Sequence, residues 1–194
     1  MNIAILILAA GSSSRMGVAK QLLPAGDTTL LGIAINNALQ TKVRNIYCVL
    51  GAKADEIQNS IKVKDIEFII NSDYKTGLSS SIKKGINHLQ SQNYDAILMT
   101  LGDQPYVDFN ILNEMINVFK TQPHKIIASG YGEKVGIPVI IPKHYYQEFL
   151  KLTGDKGAKQ FLNNNTEQIV VFNNEHLMDI DTKEDYESYL KSII

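Results

Sequence analysis

The sequence predicts an α/β fold, in which a mostly parallel, twisted sheet carries helices on both faces. Short apolar runs rich in Ile, Val and Leu alternate with longer segments of helical period, which is typical of parallel strands joined by crossover helices. A loop rich in glycine and serine follows the first apolar run directly. Because the chain has 194 residues, with neither a linker nor a repeat, we expect one domain spanning residues 1–194.

The first half of the chain supplies four predicted strands, which are short apolar runs that end at glycine or polar residues. They cover residues 2–9, 45–50, 66–70 and 94–101. Helices are expected from residue 28 or 29 to about 38, and at 54–61 and 79–90, because apolar residues recur there at helical spacing. Asp27, Thr28 and Thr29 are suited to cap the first of these helices.

The second half continues the alternation, with one irregular place. A helix is predicted at 109–120, followed by apolar strands at 125–129 and 137–141 with three glycines between them. No crossover helix fits there, so these two strands are expected to be antiparallel or to form an addition to the sheet. The remaining predictions are helices at 144–151 and 156–163, a strand at 168–172 and a closing helix at 183–190.

The composition narrows the classes of partner. Hydrophobic residues make up 44% of the chain and charged residues 20%, which excludes a disordered protein. The formal net charge of −1 favours neither nucleic acid nor an anionic membrane as a partner.

The single cysteine, Cys48, lies in an apolar run, so we expect a buried thiol and a reducing, cytoplasmic location. The apolar run at residues 3–10 is too short to span a bilayer and has no basic start, so we expect neither a signal peptide nor a membrane helix.

The loop after the first strand has the composition of a phosphate-binding loop. Small residues such as Gly11 and Ser12 let the backbone approach a ligand closely, and loop N–H groups can point at phosphate oxygens. Arg15 and Lys20 add two cations, and Arg15 is one of only two arginines beside 17 lysines. A planar guanidinium is the cation suited to a bidentate grip on phosphate. The alternative is a surface loop with two solvated cations.

Two familiar phosphate loops do not match the spacing. A P-loop has four residues between its glycines and Lys directly after the second, whereas five residues separate Gly11 from Gly17, and Lys20 comes three positions later. The dinucleotide fingerprint needs three closely spaced glycines and an acidic residue ending the second strand, but that strand ends at Leu50.

Asp103 is a candidate magnesium ligand, because it follows an apolar strand within the turn Gly-Asp-Gln-Pro. Ligands of open α/β sheets bind outside the carboxyl ends of the strands, where the strand order reverses. If this strand neighbours the first one, Asp103 faces the glycine-rich loop and can hold Mg²⁺ against phosphates. The alternative is an ordinary turn before Pro105.

Two other segments leave two interpretations open. Asp179 and Asp181 share one face of an extended segment, and the family resemblance given below makes them candidates for a second metal ligand, but Asp181 or Thr182 could instead cap the last helix, with Glu184 or Asp185 completing a capping box. The serines at 79–81 stand at a predicted helix N-terminus, where they could cap the helix or contact an anion. The four histidines lie in different elements without ligand spacing, and no Ser or Cys has a recognisable partner for covalent catalysis.

The segment from Leu8 to Lys20 resembles the signature L-A-A-G-x-S-x-R-M-G-x-x-K of the molybdenum cofactor cytidylyltransferase group, within the MobA-like NTP transferase family. The resemblance continues in blocks at residues 71–81, 102–105, 136–138, 154–159 and 179–182. Tyr74 stands where the family usually has Trp, and Lys159 stands where Arg is common. Both departures concern the pocket for the acceptor, so the resemblance defines the reaction more closely than the acceptor.

The resemblance implies a Rossmann-like nucleotide-diphosphosugar-transferase fold and the transfer of CMP from CTP to the terminal phosphate of molybdopterin cofactor, with release of pyrophosphate. An Ala-Ala-Gly loop goes with cytidine among relatives, and an Ala-Gly-Gly loop with guanosine. The implied cofactor is Mg²⁺, and the implied partners are small molecules, with no nucleic acid and no membrane. A sugar or alcohol phosphate as acceptor, or a noncatalytic nucleotide-binding protein, remains an alternative. Whether a molybdoenzyme or its insertion chaperone docks on the chain is left open.

The resemblance also implies roles for individual residues. Arg15, Lys20 and Asp103 would be catalytic, and Asp103 and Asp181 would hold the metal. The nucleotide is expected to contact Leu8, Ala9, Ala10, Gly11, Ser12, Arg15, Lys20, Asn71, Ser79, Ser80 and Asp103. The acceptor is expected to contact Gly136, Pro138 and Asp155. Because a substrate phosphate is already anionic, this reaction needs positioning and charge neutralisation rather than a base.

Overall fold

The computed structural model describes residues 1–13, 16–174 and 177–193. Its strands are β1 (Ile3–Ala9), β2 (Pro24–Ala25), β3 (Thr28–Thr29), β4 (Asn45–Leu50), β5 (Glu67–Ile70), β6 (Ala96–Leu101), β7 (Ile126–Tyr131), β8 (Lys134–Pro142) and β9 (Ile169–Asn173). Its α-helices are α1 (Leu30–Leu39), α2 (Ala54–Ser60), α3 (Leu78–Leu89), α4 (Phe109–Thr121), α5 (Tyr146–Phe149), α6 (Gly157–Asn164) and α7 (Lys183–Ser192). Short 3-10 turns cover Lys20–Leu22, Tyr74–Thr76, Lys143–Tyr145 and Thr166–Gln168.

The large strands form one seven-stranded sheet in the order β5-β4-β1-β6-β8-β7-β9. β1 pairs in parallel with β4 on one side and with β6 on the other. β8 is antiparallel to both of its neighbours, as expected for the region that lacks a crossover helix. From β1 the chain runs to β4 and β5 on one side and then returns to the other side with β6, so the strand order reverses between β1 and β6. A crevice for a ligand is expected at their carboxyl ends.

Helices cover both faces of this sheet, as predicted. All seven residues of β1 are buried, and alternate side chains point to opposite faces. Leu6 and Leu8 pack with Ile82 and Ile86 of α3 on one face. On the other face, Ile5 and Ile7 belong to an apolar cluster that also contains residues of α1 and α4. Burying each such side chain contributes roughly 1.5–3 kcal/mol, so the sheet gives the site a rigid support.

One local prediction needs correction, and one local feature was not predicted. The helix expected at 144–151 begins as a 3-10 turn, and only Tyr146–Phe149 is α-helical, because i→i+3 bonds such as that from Leu152 N to Phe149 O replace the α-helical pattern. The hairpin of β2 and β3, which turns at Gly26 with φ +60°, was not predicted, because strands of two residues are too short to show alternation. Thr29 then caps α1 by accepting a hydrogen bond from Gly32 N, as one of the proposed caps.

Two further observations concern the expectations from composition. Cys48 in β4 is fully buried, and burial raises the pKa of its thiol. Among the described residues, none of the helices combines the length and the apolar composition needed to cross a bilayer.

Candidate functional site

A cavity of about 670 Å³ opens at the carboxyl ends of β1 and β6, where the strand order reverses. The loop after β1 and the turn after β6 form part of its wall. Its lining includes Leu8, Ala9, Ala10, Gly11, Ser12, Ser13, Lys20, Gln21, Tyr74, Lys75, Gly77, Leu78, Ser81, Asp103, Asp155, Lys159 and Asp181. The structure therefore brings the glycine-rich loop, both candidate metal ligands and the segment at 155–159 to one space.

The loop after β1 is held by the side chain of Gln21, which also lines the cavity and was not identified from the sequence. Gln21 is 6% exposed, and its Nε2 donates to the carbonyl oxygens of Ala9 and Gly11, at 2.8 Å each. On the other side, Ala52 N donates to the carbonyl of Ala10 at 3.3 Å. With three successive carbonyls bound by the protein, the backbone of residues 9–11 has a fixed shape.

The face of the loop toward the cavity is open. A Cβ atom added at Gly11 would meet no atom of the described residues within 4 Å, so as far as these residues are concerned a ligand can approach the backbone there. Ser13 adopts a positive φ of 52°, and its Oγ accepts a hydrogen bond from Lys20 N at 2.9 Å. This bond connects the loop to the 3-10 turn that carries Lys20, which places the lysine beside the loop.

Lys20 connects the two candidate metal ligands. Its Nζ lies 2.7 Å from Asp103 Oδ2 and 2.8 Å from Asp181 Oδ1. The Lys20 side chain is only 13% exposed. Burial alone lowers the pKa of its ammonium, but the two carboxylates more than offset this effect and leave that pKa above its usual value. Lys20 therefore stays charged and neutralises part of the negative charge of the pair.

The segment at 179–181 is fixed against the turn after β6. Ile180 N donates to the carbonyl of Asp103 at 2.9 Å. Thr182 begins α7 with a capping box, in which its Oγ1 accepts from Asp185 N and Asp185 Oδ2 accepts from Thr182 N. Thr182, and not Asp181, is thus the cap, and the carboxylate of Asp181 lies against Lys20 in the cavity.

Asp179 and Asp181 have different surroundings. Asp181 lines the cavity and contacts Lys20. Asp179 accepts a hydrogen bond from Gln104 Nε2 at 2.7 Å and is not among the residues that line the cavity. Partial removal from water raises the pKa of Asp179, and the charges of Asp103 and Asp181 raise it further. Of the two candidates, the geometry favours Asp181 as the partner of Asp103.

The carboxylates fit a divalent ion. One nitrogen contacts oxygens of both Asp103 and Asp181, so an ion near that point could contact both, and hard oxygen donors are what Mg²⁺ prefers. The part of the chain that the structure describes holds no cluster of three or more His, Cys, Asp or Glu suited to a metal. Further ligands would come from phosphate oxygens and water, which is usual for Mg²⁺.

The start of α3 differs from the expectation of capping by serines. Gly77, with φ +104°, precedes the helix, and no side chain at that position caps it. Instead, Leu78 N donates to Asp155 Oδ1 at 3.0 Å, and Ser79 N donates to the carbonyl of Gly154 at 3.1 Å. Asp155, a proposed acceptor contact, therefore caps this helix while also lining the cavity.

Asn71 and two of the three serines form a polar support behind the cavity. Asn71 is 2% exposed, and its Nδ2 donates to Ser80 Oγ at 2.9 Å and Ser81 Oγ at 3.0 Å. Of these residues only Ser81 lines the cavity. Ser79 Oγ is buried with no partner among the described residues. The structure thus gives Asn71 and Ser80 partners within the protein, and the expected nucleotide contacts of Asn71, Ser79 and Ser80 stay predictions.

Gly136 and Pro138 lie on β8 and are not among the residues that line the cavity. The pairing of β8 with β6 ends at Val139 opposite Met99, so residues 136–138 continue beside the carboxyl end of β6. Arg15 lies outside the described residues, and its predicted contact with phosphate stays a prediction.

Several site residues were not identified from the sequence. Gln21 and Gln104 act through buried contacts with residues from other elements. Gln104 stands in the block at 102–105, but the sequence does not show which residues it contacts. Lys75 follows Tyr74, and its Nζ lies 6.0 Å from the centre of the Tyr74 ring. Both line the cavity, and the only clue in the sequence was their place in the block at 71–81.

The fold and the site together define a class of protein. The strand order of the sheet reverses beside a loop that is open to a ligand, and a lysine and two carboxylates lie next to this loop. This arrangement is typical of α/β proteins that bind nucleotides. The model of the MobA-like NTP transferase domain matches residues 5–169, so the chain belongs to this family and is a nucleotidyltransferase. The resemblance and the fold class predicted from the sequence are confirmed.

Individual relatives agree with this assignment. The molybdenum cofactor cytidylyltransferase of Escherichia coli (strain K12) is 28% identical over 183 residues, which cover 93% of this chain and 92% of that protein. The crystal structure of Rv0371c from Mycobacterium tuberculosis H37Rv has a TM-score of 0.87 and 27% identity, and the match covers 98% of each chain. A structure of the same protein in complex with manganese has a TM-score of 0.82 and 26% identity, covering 99% of this chain and 100% of that one.

Proposed function

We propose that this nucleotidyltransferase moves CMP from CTP to the terminal phosphate of a molybdopterin-type acceptor and releases pyrophosphate. The observation that carries the proposal is the Lys20 ammonium between Asp103 and Asp181, beside a loop whose open face lines the cavity. The 28% sequence identity to the Escherichia coli molybdenum cofactor cytidylyltransferase supports the choice of nucleotide and acceptor.

The proposed reaction needs no protein base. An oxygen of the acceptor phosphate attacks the α-phosphorus of CTP in line, the bond from that phosphorus to the bridging oxygen breaks, and pyrophosphate leaves with the electron pair. The acceptor is already anionic, so the chain has to position the groups and neutralise charge. A divalent ion held by Asp103 and Asp181 would neutralise charge on the triphosphate.

Each of the chain's own groups has a proposed task. The backbone of residues 9–11 lies against the base, and Lys20, together with Arg15, neutralises the pyrophosphate as it leaves. Asp155 and Lys159 line the same cavity and are proposed to face the acceptor. Gly136 and Pro138 remain proposed acceptor contacts from the end of β8.

The nucleotide choice is tested by binding. The methyl group of Ala10 leaves less room beside Gly11 than the glycine of guanosine-using relatives, so CTP is expected to bind better than GTP. Calorimetric titration with each nucleotide in magnesium measures this difference. Equal or reversed affinity would contradict the choice of cytidine without affecting the fold or the family.

The reaction is tested by pyrophosphate release with a panel of triphosphates and acceptors. Release with CTP and a molybdopterin phosphate supports the proposal, and release only with a sugar or alcohol phosphate supports that alternative acceptor. Binding of CTP without release from any acceptor supports a noncatalytic nucleotide-binding protein. Asp103→Asn serves as the inactive control, because an amide keeps the shape of the side chain and removes the charge that a metal needs.

A further inference from the structure

Gln104 is a buried amide directly after Asp103. It is 1% exposed and is not among the residues that line the cavity. Its Nε2 lies 2.7 Å from Asp179 Oδ1, 3.0 Å from Tyr131 Oη and 3.3 Å from the carbonyl oxygen of Ile137. A carboxylate and a carbonyl can only accept hydrogen bonds, so the amide nitrogen, rather than its oxygen, must face this group.

These contacts join parts of the chain that are far apart in sequence. Gln104 lies in the turn after β6, Tyr131 ends β7, Ile137 lies on β8 and Asp179 precedes α7. Tyr131 also donates its hydroxyl to the carbonyl of Ile137. One side chain thus connects the turn that carries Asp103 with the segment that carries Asp181 and with the hairpin of β7 and β8.

The position of Gln104 has an energetic cost. Its Oε1 is buried and has no hydrogen-bond partner among residues 1–13, 16–174 and 177–193, and an unsatisfied buried acceptor lowers stability. An apolar side chain of the same length would avoid that cost but would take the hydrogen bond away from Asp179 Oδ1. The amide at this position therefore serves the segment that carries Asp179 and Asp181, which lies beside the turn that carries Asp103.

We infer that Gln104 is a positioning residue that sets the placement of Asp181 relative to Asp103 and connects this pair to β8. The inference rests on the proposed function, since it assumes that the pair holds a divalent ion beside the triphosphate. Gln104 acts through Asp179, whose carboxylate it holds outside the cavity, while the bond from Ile180 N to the carbonyl of Asp103 holds the segment from the other side.

Gln21 provides a matched comparison within the chain. It is also a buried glutamine beside the site, but its Nε2 binds the carbonyls of Ala9 and Gly11, which belong to the proposed nucleotide loop. The same substitution at each glutamine should therefore affect a different ligand. Loss of Gln104 is expected to weaken metal binding, whereas loss of Gln21 is expected to weaken binding of the nucleotide.

The experiment compares Gln104→Met and Gln21→Met with the wild-type chain. Mn²⁺ binding is measured by electron paramagnetic resonance at saturating CTP, CTP binding without metal is measured by calorimetry, and thermal unfolding is measured without ligands. For Gln104→Met we expect 10–100-fold weaker Mn²⁺ binding, the usual effect of losing a residue that orients metal ligands. Its CTP affinity without metal should stay within about twofold, and its melting temperature within about 4 °C. Gln21→Met should show its main loss in CTP binding.

Asp179→Asn separates positioning from direct ligation. The amide oxygen of Asn can still accept the bond from Gln104, so Mn²⁺ affinity should stay within about twofold of the wild type. A loss as large as that of Asp181→Asn would make Asp179 a ligand and overturn the inference.

Two other results would also overturn it. Unchanged Mn²⁺ binding in Gln104→Met would show that the pair is placed without Gln104, and a loss of Mn²⁺ binding that merely follows a large loss of thermal stability would show a purely structural role. A wild-type chain that binds no Mn²⁺ with CTP would refute the proposed metal site and this inference together. If instead the wild-type chain binds Mn²⁺ and Gln104→Met binds it equally well, only the inference about Gln104 is refuted, and the proposed metal site stands.

Discussion

Lys20 occupies the place between Asp103 and Asp181 that the proposed function gives to a divalent ion. Its Nζ contacts one oxygen of each carboxylate, so the ammonium and an ion would compete for the same donors. In the complex with nucleotide, the ammonium would instead pair with the triphosphate. Binding of the ion and of the nucleotide is therefore expected to be coupled through this one side chain.

Replacement of Lys20 by Met tests that competition. Without nucleotide, Lys20→Met should bind Mn²⁺ at least tenfold more tightly than the wild type, about 1.4 kcal/mol, because the carboxylates lose their internal cation. Turnover should fall in the same variant, because the charge on the leaving pyrophosphate is less well neutralised. Titration of Mn²⁺ by electron paramagnetic resonance measures the first effect, and pyrophosphate release measures the second.

Lys53→Met is the matched control for this variant. Lys53 forms an exposed pair with Glu56 at 3.3 Å, and such pairs contribute little, so neither measurement should change. Weaker or unchanged Mn²⁺ binding in Lys20→Met would contradict the competition and leave Lys20 as a structural counterion of the pair.

At the scale of single elements, the N-terminus of α7 places Asp181. The capping box of Thr182 and Asp185 begins the helix directly after this aspartate, and Asp185 Oδ2 also accepts from Asp181 N at 3.0 Å. The helix start therefore fixes the backbone of Asp181, while the side chain remains directed to Lys20.

Thr182→Ala should cost about 1 kcal/mol of stability, the usual effect of losing an N-cap, and should also raise the magnesium concentration needed for turnover. Thr29→Ala is the control, because Thr29 caps α1 through Gly32 N at 3.1 Å, and α1 carries no proposed site residue. Thermal unfolding should show a similar loss in both variants, while a magnesium titration of pyrophosphate release should change only in Thr182→Ala. Equal magnesium requirements would mean that α7 does not place Asp181.

The long elements could be predicted because their apolar spacing is local. β1 is apolar throughout and lies inside the sheet between β4 and β6, and Ile82, Ile86 and Leu89 of α3 are all fully buried at helical spacing. The capping box of α7 was one of the alternatives that the local sequence left open, and the structure forms it with Thr182 and Asp185. Two kinds of feature were not predicted. The hairpin of β2 and β3 is too short to show a pattern, and the remaining features depend on contacts with residues far away in the sequence.

The start of α3 shows why contacts between residues far apart in sequence could not be predicted. Three serines at a helix N-terminus predict capping, but the N–H groups of Leu78 and Ser79 bind Asp155 and Gly154, which follow more than seventy positions later. The same holds for Gln21 and Gln104, whose partners are known only once the sheet is assembled. Sequence motifs could locate the loop and Asp103, but not the side chains that hold them in place.

At the scale of the whole molecule, the cavity is built from segments between Leu8 and Asp181. A ligand that fills it therefore binds the folded chain and not the unfolded one, and it stabilises by mass action. CTP with magnesium at 100 times the dissociation constant should add about 2.7 kcal/mol, a rise in melting temperature of roughly 5–10 °C for a chain of this length.

Magnesium alone should give a much smaller rise, since the described residues hold no cluster of three or more metal-binding side chains. Thermal melts with magnesium, with CTP and with both together measure these shifts. A rise with magnesium alone that equals the rise with both ligands would mean that the chain has a complete metal site of its own.

The order of strands in the sheet has a consequence for synthesis on the ribosome. β1 is synthesised before the other strands. Its neighbour β4 pairs with it from Asn45 and its neighbour β6 from Ala96, so one edge of this wholly apolar strand stays unpaired until β6 has been synthesised. Asp181 emerges later still, and at roughly 5–20 residues per second the interval after Ala96 lasts several seconds. During that time a nascent chain has the nucleotide loop but not its second carboxylate. Substrate can therefore stabilise the complete site only after Asp181 has emerged, and ligand binding does not protect the early apolar strand before then.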